Sequence, residues 1–310
     1  MLEPTVTLPA FAKINLNLRV LGKRAGAFHE IDTVFQTISL HDTVTLTVND
    51  NLRIVLSCDD RSLPLGADNI VCRAAAALQA RLAPDKGAYI RLVKRIPTQA
   101  GLGGGSSDAA VTLIALAYLW ETNATADELL SIAANIGADV PFFFFGGTAR
   151  GTGHGTNVTP LSDVPEKFIL IVKPNVSIST SRAYEAIDSP SLTTSKAKTI
   201  LASSQHSEIF DSFDLEPLQN DFEAVALELE PEIKRAKDAL EKSGARATLL
   251  AGSGSAVFGI FDSGDAQERA IQAIELEAGW RVFPCRTVGR NAYQSALGAA
   301  GEILTRFTRP

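Results

Sequence analysis

The sequence predicts an α+β protein built as two successive halves, and three observations carry the prediction. Residues Thr5 to Val20 (TVTLPAFAKINLNLRV) alternate apolar and polar positions from Ala12 onward, the period of a half-buried strand. The stretch from Ile96 to Trp120 (IPTQAGLGGGSSDAAVTLIALAYLW) leaves a strand, passes through a glycine loop and enters a helix with almost no polar residue. After a break near Asn157 the pattern begins afresh with KFILIVKP, a buried strand. The expected division is 1–157, 158–285 and a tail, 286–310, whose helical pattern suits packing on either half.

In chain order, GKRAGAFHEIDTVFQTISLHDTVTLTV predicts a turn followed by two strands, with Phe28 and His29 in the turn. Leu52–Leu56 is a short strand, and Asp68–Leu82 a helix with Asp68 as its cap. Tyr89–Ile96 is the strand that feeds the glycine loop, and Ser106, Ser107 and Asp108 are cap candidates for the helix behind it. Thr125 opens a second helix, Ala126–Asn135, which ends near Gly137; Asp139 follows, just ahead of Pro141 and four phenylalanines. In the second half, Ser181–Ile187 is helical and the segment from Asp188 to Ser207 is a polar surface excursion. Asn220–Ser243 is a long amphipathic helix with an interruption near Pro231. Ala247–Phe261 is a hairpin turned at Gly252, Ser253 and Gly254, Asp265–Glu277 a helix, and Trp280–Cys285 the last strand.

Composition narrows the function classes. A chain of 310 residues with 45% hydrophobic and 21% charged residues is an ordinary globular protein. A formal charge of −6 without a long Lys/Arg run argues against nucleic acid as a partner, so any anionic ligand must be held by local basic groups and backbone amides. Cys58, Cys72 and Cys285 have no metal-ligand spacing and suit a reducing compartment. The first residues lack the basic start and apolar core of a signal peptide, and no apolar run is long enough to span a bilayer. A cytoplasmic protein without membrane contact, monomer or homodimer, is expected.

Four glycines in five positions (Gly101, Gly103, Gly104, Gly105) let the backbone approach a ligand closely, and the helix start behind them offers unpaired N–H groups and a positive dipole end. That is a phosphate site; the competing reading is a Gly/Ser linker, which the strand and buried helix on its flanks oppose. Lys13, Asn15 and Asn17 share one strand face, which is either a solvated surface or the wall of a site. Asp139 is either a turn residue or a carboxylate held against an apolar wall. There is no G-x-x-x-x-G-K-[ST], and the loop lacks the third glycine of G-x-G-x-x-G, so neither a Walker-A nucleotide hydrolase nor a Rossmann oxidoreductase is supported. G-x-S-x-G, H-E-x-x-H and the protein-kinase signatures are also absent.

AKINL, PTQAGLGGGSSDAA, GADVPFF and LAGSGSAVF occur in the order of the motifs of the GHMP small-molecule kinases, and the chain resembles that family from about Ala10 to Phe261. GKRAGAFHEIDTVFQ, DNIVCRAA, PNVSISTSRAYEAID and NDFE resemble a subgroup that phosphorylates a cytidine-diphosphate-linked methylerythritol in isoprenoid-precursor synthesis. The resemblance implies a two-domain α+β kinase with its active site in the cleft between the halves, ATP and Mg²⁺ as cofactors, and no assigned Mg²⁺ ligands. It implies Lys13 and Asp139 as the catalytic pair. Pro97, Thr98, Gln99, Ala100, Gly101, Leu102, Gly103, Gly104, Gly105, Ser106 and Ser107 would wrap the ATP phosphates, and Asn69 would line the adenine pocket. Asn15, Phe28, His29 and Tyr184 would meet the substrate, with the last three on its cytosine, and the Gly252–Gly254 turn would lie beside the first glycine loop. Phe28 stands where the subgroup has tyrosine, keeping the stacking face without the hydroxyl, and Thr98-Gln99 replaces smaller residues. The alternatives are another GHMP kinase, for homoserine, mevalonate or a sugar, and a catalytically silent nucleotide-binding paralogue.

Overall fold

The computed structural model describes residues 3–23, 29–188 and 218–307. Its first sheet is built on two long antiparallel strands, β1 (Thr5–Lys23) and β2 (His29–Asn49). The register passes from Phe11 opposite His41 to Ala12 opposite Ile38, which leaves Ser39 and Leu40 looped out of β2. The sequence break that predicts two strands here is this bulge, which bends one strand without ending it. On the far side of β2 its two ends take different partners: Thr43–Asn49 pairs with β4 (Gly87–Val93), and Ile31–Gln36 with β5 (Thr148–Gly153). β3 (Ile54–Cys58) runs parallel to β4, and β6 (Asn157–Pro160) pairs with β5, so this sheet extends past the expected break at Asn157.

The irregularity in β1 also exchanges its faces. Leu8, Ala10 and Phe11 pack with the helices of the first half, whereas Ala12, Ile14 and Leu16 pack towards the second sheet. Lys13 and Asn15 are thereby turned to the helix side. A strict two-residue alternation through Phe11 would have pointed them the other way.

The helices of the first half are α1 (Ile70–Leu82), α2 (Gly104–Leu119) and α3 (Ala126–Ile136). Residues Ser107 to Ala117 of α2 are all buried, so this helix is the axis of the first core. The cap of α1 is Asn69, not Asp68: its Oδ1 accepts from Val71 N at 2.9 Å. Two residues of separation suit that bond, and Asp68 stands one residue too early. Nor do Ser106, Ser107 or Asp108 cap α2, which starts from Gly103 in the left-handed region (φ +69°) with no side-chain cap. Thr125 and Glu128 form a reciprocal capping box at α3, as Thr125 predicts. A 3₁₀ turn, Val140–Phe144, then buries Phe142, Phe143 and Phe144 in the first core.

The second sheet is antiparallel, ordered β11 (Arg281–Arg286), β7 (Phe168–Lys173), β10 (Val257–Phe261), β9 (Ala247–Leu250). One face meets β1 and β2 through Ile169, Ile171, Leu249 and Phe258; the other packs on α5 (Glu223–Leu229), α6 (Pro231–Lys242) and α7 (Gly264–Ala273). The long helix expected over Asn220–Ser243 is therefore two helices, divided where Pro231 has no N–H to continue α5 and serves as the first residue of α6. α4 (Thr180–Ile187) is capped by Ser179, and the polar segment after Asp188 lies outside the described residues. A two-residue strand, β8 (Gln219–Asn220), runs parallel to β1, so the second half also contributes to the first sheet. The tail forms α8 (Arg290–Ala296) and a 3₁₀ segment, Gly298–Arg306, and packs on the first half. Tyr293, Leu297 and Leu304 join the core of the phenylalanine wall, where the Tyr293 hydroxyl donates to Phe143 O. No helix among the described residues is long and apolar enough to cross a membrane.

Candidate active site

A cleft of about 730 Å³ opens where the two halves meet, and the glycine loop forms its floor. Asn69, Lys13, Asn15, Asp139, Tyr184 and the whole run Pro97–Ser106 line it. The loop is held from both sides. Leu102 O accepts from Lys13 N at 2.9 Å, and Gln99 O and Ala100 O accept from Ser255 N and Ala256 N, each at 3.3 Å. These bonds bring the Gly252–Gly254 turn against the first glycine loop. Gly101 (φ +76°) is required there, because a Cβ would stand 1.8 Å from Ala251 O. Gly103 is required by the lysine: a Cβ would lie 2.9 Å from Lys13 Cγ and 3.1 Å from Phe143 Cζ.

At the start of α2 the N–H groups without an intrahelical partner are those of Gly103 to Ser106. Ser107 N is spent on Gly103 O at 2.9 Å, and the Ser107 side chain is buried, so Ser107 does not face the cleft as expected. The helix begins three residues earlier than its polar residues imply, because Gly103 turns the chain. Gln99 is a non-glycine residue at φ +51°, a conformation costing about 1–2 kcal/mol.

Lys13 Nζ lies 3.2 Å from Asp139 Oδ2 and donates to Asn15 Oδ1 at 2.8 Å. Asn15 Nδ2 passes the chain on to Thr33 Oγ1 at 2.7 Å. The ammonium stands 5.5 Å from the Phe35 ring centroid, so an aromatic face and a carboxylate compensate its removal from water. The lysine side chain is 4% exposed and the aspartate 31%. The pair thus offers a fixed cation behind and an accessible carboxylate in front.

Farther along, Tyr184 stacks flat on His29, with ring centroids 4.5 Å apart and planes at 15°. His29 Nε2 meets Asp188 Oδ1 at 2.9 Å, and Phe222 meets Tyr184 edge-on, with ring centroids 4.9 Å apart. Burial, with the negative charge of Asp139 nearby, pushes the Tyr184 phenol up to about 12, so it is a neutral hydrogen-bonding group. The tyrosine, and not the histidine behind it, faces the cleft. Phe28 lies outside the described residues. Asn69 lines the cleft, but its side chain is engaged at both ends, accepting from Val71 N and donating to Pro64 O at 2.8 Å. It shapes the wall by holding the Pro64–Asn69 turn.

Sequence reasoning passed over three groups that the fold brings here. His154 lines the cleft, and its Nδ1 lies 3.3 Å from His29 O; its glycine-rich setting gave no periodic signal. Phe222 belongs to the NDFE segment, noticed as a motif but given no role. Lys94, at the end of β4, meets Asp42 and Asp108 under the loop, a contact between residues far apart in sequence.

The sequence matches GHMP kinases N terminal domain over residues 69–147 and GHMP kinases C terminal over 201–279. It is 40% identical to the 4-diphosphocytidyl-2-C-methyl-D-erythritol kinase of Solibacter usitatus, over 96% of this chain and 94% of that one. The chain belongs to the GHMP kinase family. A second relative of the same name, from Citrifermentans bemidjiense, is 38% identical over 91% of this GHMP kinase and 98% of its own length. Among solved structures, a 4-(cytidine 5'-diphospho)-2C-methyl-D-erythritol kinase is 33% identical, with a TM-score of 0.73 over 92% of this chain and all of that one. The mevalonate kinase of L. major shares the fold at a TM-score of 0.71, covering 93% of this chain and 97% of its own, with 14% identity. This GHMP kinase is an enzyme of the small-molecule kinase class, built on the two-domain α+β fold that its motifs imply.

Proposed function

We propose that this enzyme transfers the γ-phosphoryl group of ATP to the 2-hydroxyl of 4-diphosphocytidyl-2-C-methyl-D-erythritol, a step of isoprenoid-precursor synthesis. Relatives of that name align over nearly the whole chain. The observation that carries the reaction chemistry is the Lys13–Asp139 pair, 3.2 Å apart, lining the cleft beside the start of α2. Phosphoryl transfer asks for positioning, charge neutralisation and an acceptor for the hydroxyl proton. The N–H groups of Gly103, Gly104, Gly105 and Ser106 bind phosphate oxygens at the positive end of a buried helix. Asp139 accepts the proton of the attacking hydroxyl, a role worth about 10²–10⁴-fold. Lys13 orients that carboxylate and stabilises the charge that develops between the two oxygens. Its compact ammonium fits between Asn15 and Asp139, where a planar guanidinium would not.

We assign Asn69 and its turn to the adenine and Tyr184, backed by His29, to the cytosine; Phe28 is assigned to the cytosine by the resemblance alone. The Tyr184–His29 stack leaves no room for a base between the two rings, so the tyrosine offers its cleft-facing side or swings away to admit one. Mg²⁺ belongs with the triphosphate and neutralises its charge when bound. Among the described residues no three His, Cys, Asp or Glu side chains gather as a metal cage.

The test is transfer of labelled phosphate from ATP to the cytidyl methylerythritol substrate, homoserine and mevalonate in parallel. Transfer to the first alone is expected. Equal or better transfer to another acceptor would reassign the substrate, and no transfer with retained ATP binding would leave a silent nucleotide-binding paralogue.

A further inference from the structure

Beneath the glycine loop, three ionisable side chains are packed out of water: Asp42 of β2, Lys94 after β4 and Asp108 of α2. One Asp42 oxygen accepts from the N–H groups of Arg95 and Ile96, the latter at 2.8 Å, which fixes the chain where it enters the loop. The other accepts from Lys94 Nζ, and the same ammonium donates to Asp108 Oδ2 at 2.7 Å, on the helix that leaves the loop. Gly104 sits directly on this cluster: a Cβ there would stand 2.9 Å from Ile96 Cγ2 and 3.5 Å from Asp42 Oδ2. The loop is therefore pinned at both ends through one carboxylate and one lysine.

The cluster holds two carboxylates against one ammonium, and Asp108 Oδ1 is buried with no hydrogen-bond partner in the protein. Lys94 and Asp108 both border the cleft. We infer that Asp42, Lys94 and Asp108 are positioning residues of the phosphate loop, and that the net charge of their cluster sets the affinity of the loop for an anionic nucleotide. The inference rests on the ATP-kinase reading above. Burial is the main force on Asp108. It outweighs Lys94, with Asp42 adding to it, and raises the Asp108 carboxyl to about 7. Burial also works against the Lys94 charge, but Asp108 and Asp42 outweigh it and hold the lysine ionised. Two further carboxylates lie on the Lys94 side of the cluster: Asp59, which accepts from Lys94 N at 2.9 Å, and Asp60, which is close enough to feel the Lys94 charge. Raising the pH from 6 to 8 therefore adds negative charge at Asp108, behind amides that receive a polyanion.

The experiment is direct calorimetric titration of the full-length protein with ATP at pH 6 and pH 8, for wild type, Asp108→Asn and Asp42→Asn, with steady-state kinetics alongside. Each variant is compared with wild type at the same pH, so the titration of the nucleotide itself cancels. Asp108→Asn keeps the shape and removes the excess charge. Relative to this variant, wild-type affinity is expected to fall by roughly three- to tenfold between pH 6 and pH 8. Asp42→Asn is expected to raise KM for ATP about tenfold or more at both pH values, with a much smaller change in kcat at saturating ATP. An Asp108→Asn variant whose ATP affinity follows the wild-type pH dependence overturns the inference. So does an Asp42→Asn variant that loses kcat with KM for ATP unchanged. If Asp42→Asn does not fold, the Asp108→Asn comparison decides alone. ATP binding with the expected pH dependence but no transfer to the cytidyl substrate would count against the substrate reading and leave this inference standing.

Discussion

Replacing Gly101 by alanine tests how tightly the two halves meet at the cleft floor. The residue has φ +76°, which costs a non-glycine residue about 1–2 kcal/mol. Its new Cβ would also lie 1.8 Å from Ala251 O and 3.2 Å from Gly254 N, both backbone atoms that no rotamer change can move aside. Relieving the overlap parts the two glycine loops and stretches the 3.3 Å bonds from Ser255 N and Ala256 N. Overpacking of this kind typically costs about 1–3 kcal/mol more, for a total of about 2–5 kcal/mol. Gly244→Ala is the matched control: φ there is +93°, but nothing lies within 4 Å of the added atom, so only the backbone cost of about 1–2 kcal/mol applies. Urea unfolding of both variants at constant m-value reads the difference. If Gly101→Ala loses no more stability than Gly244→Ala, the close approach of Gly101 to Ala251 is wrong. KM for ATP should rise only in Gly101→Ala, because only that loop borders the cleft.

Asp139→Asn should bind ATP normally by calorimetry and lower kcat by about 10²–10⁴-fold; turnover near wild type would remove Asp139 as the base. His29→Ala takes away the ring on which Tyr184 lies and should raise KM for the cytidyl substrate without altering KM for ATP. An effect confined to ATP would remove His29 from the cytosine side. Tyr293→Phe leaves Phe143 O without its buried donor and should cost about 1–3 kcal/mol in denaturant unfolding with kcat unchanged, whereas an unchanged midpoint would mean that the tail adds little to the first core.

What the sequence made legible were features with a local cause. The alternation of β1, the helix opened by Thr125, the division at Pro231 and the passage from strand through glycine loop to helix each follow from spacing or backbone chemistry within a few residues. Features decided by contact across the fold were not legible. Asp108 looked like a helix cap because it is a short polar residue near a helix start, yet its carboxylate is drawn into the core by Lys94. Ser107 looked like a phosphate ligand until Gly103, left-handed, moved the helix start back and used the Ser107 N–H for the first helical bond. The bulge at Ser39 and Leu40 was legible only as a break between two strands, because what keeps β2 continuous across it is its pairing with β1. Lys13 and Asp139 come together because that bulged pairing turns β1 over and the phenylalanine wall fixes the turn after α3.

The tail bears on the order in which the protein can be assembled. Phe142 to Phe145 are synthesised well before Tyr293, Leu297 and Leu304, the residues that share their core. β1 likewise waits for Gln219 and Asn220 before its outer edge is paired. A nascent chain that has completed only the first half therefore carries both an uncovered aromatic surface and an open strand edge, two features that invite aggregation. The first half does not close its own core. Its interior is completed by Tyr293, Leu297 and Leu304, which follow the second half in the sequence.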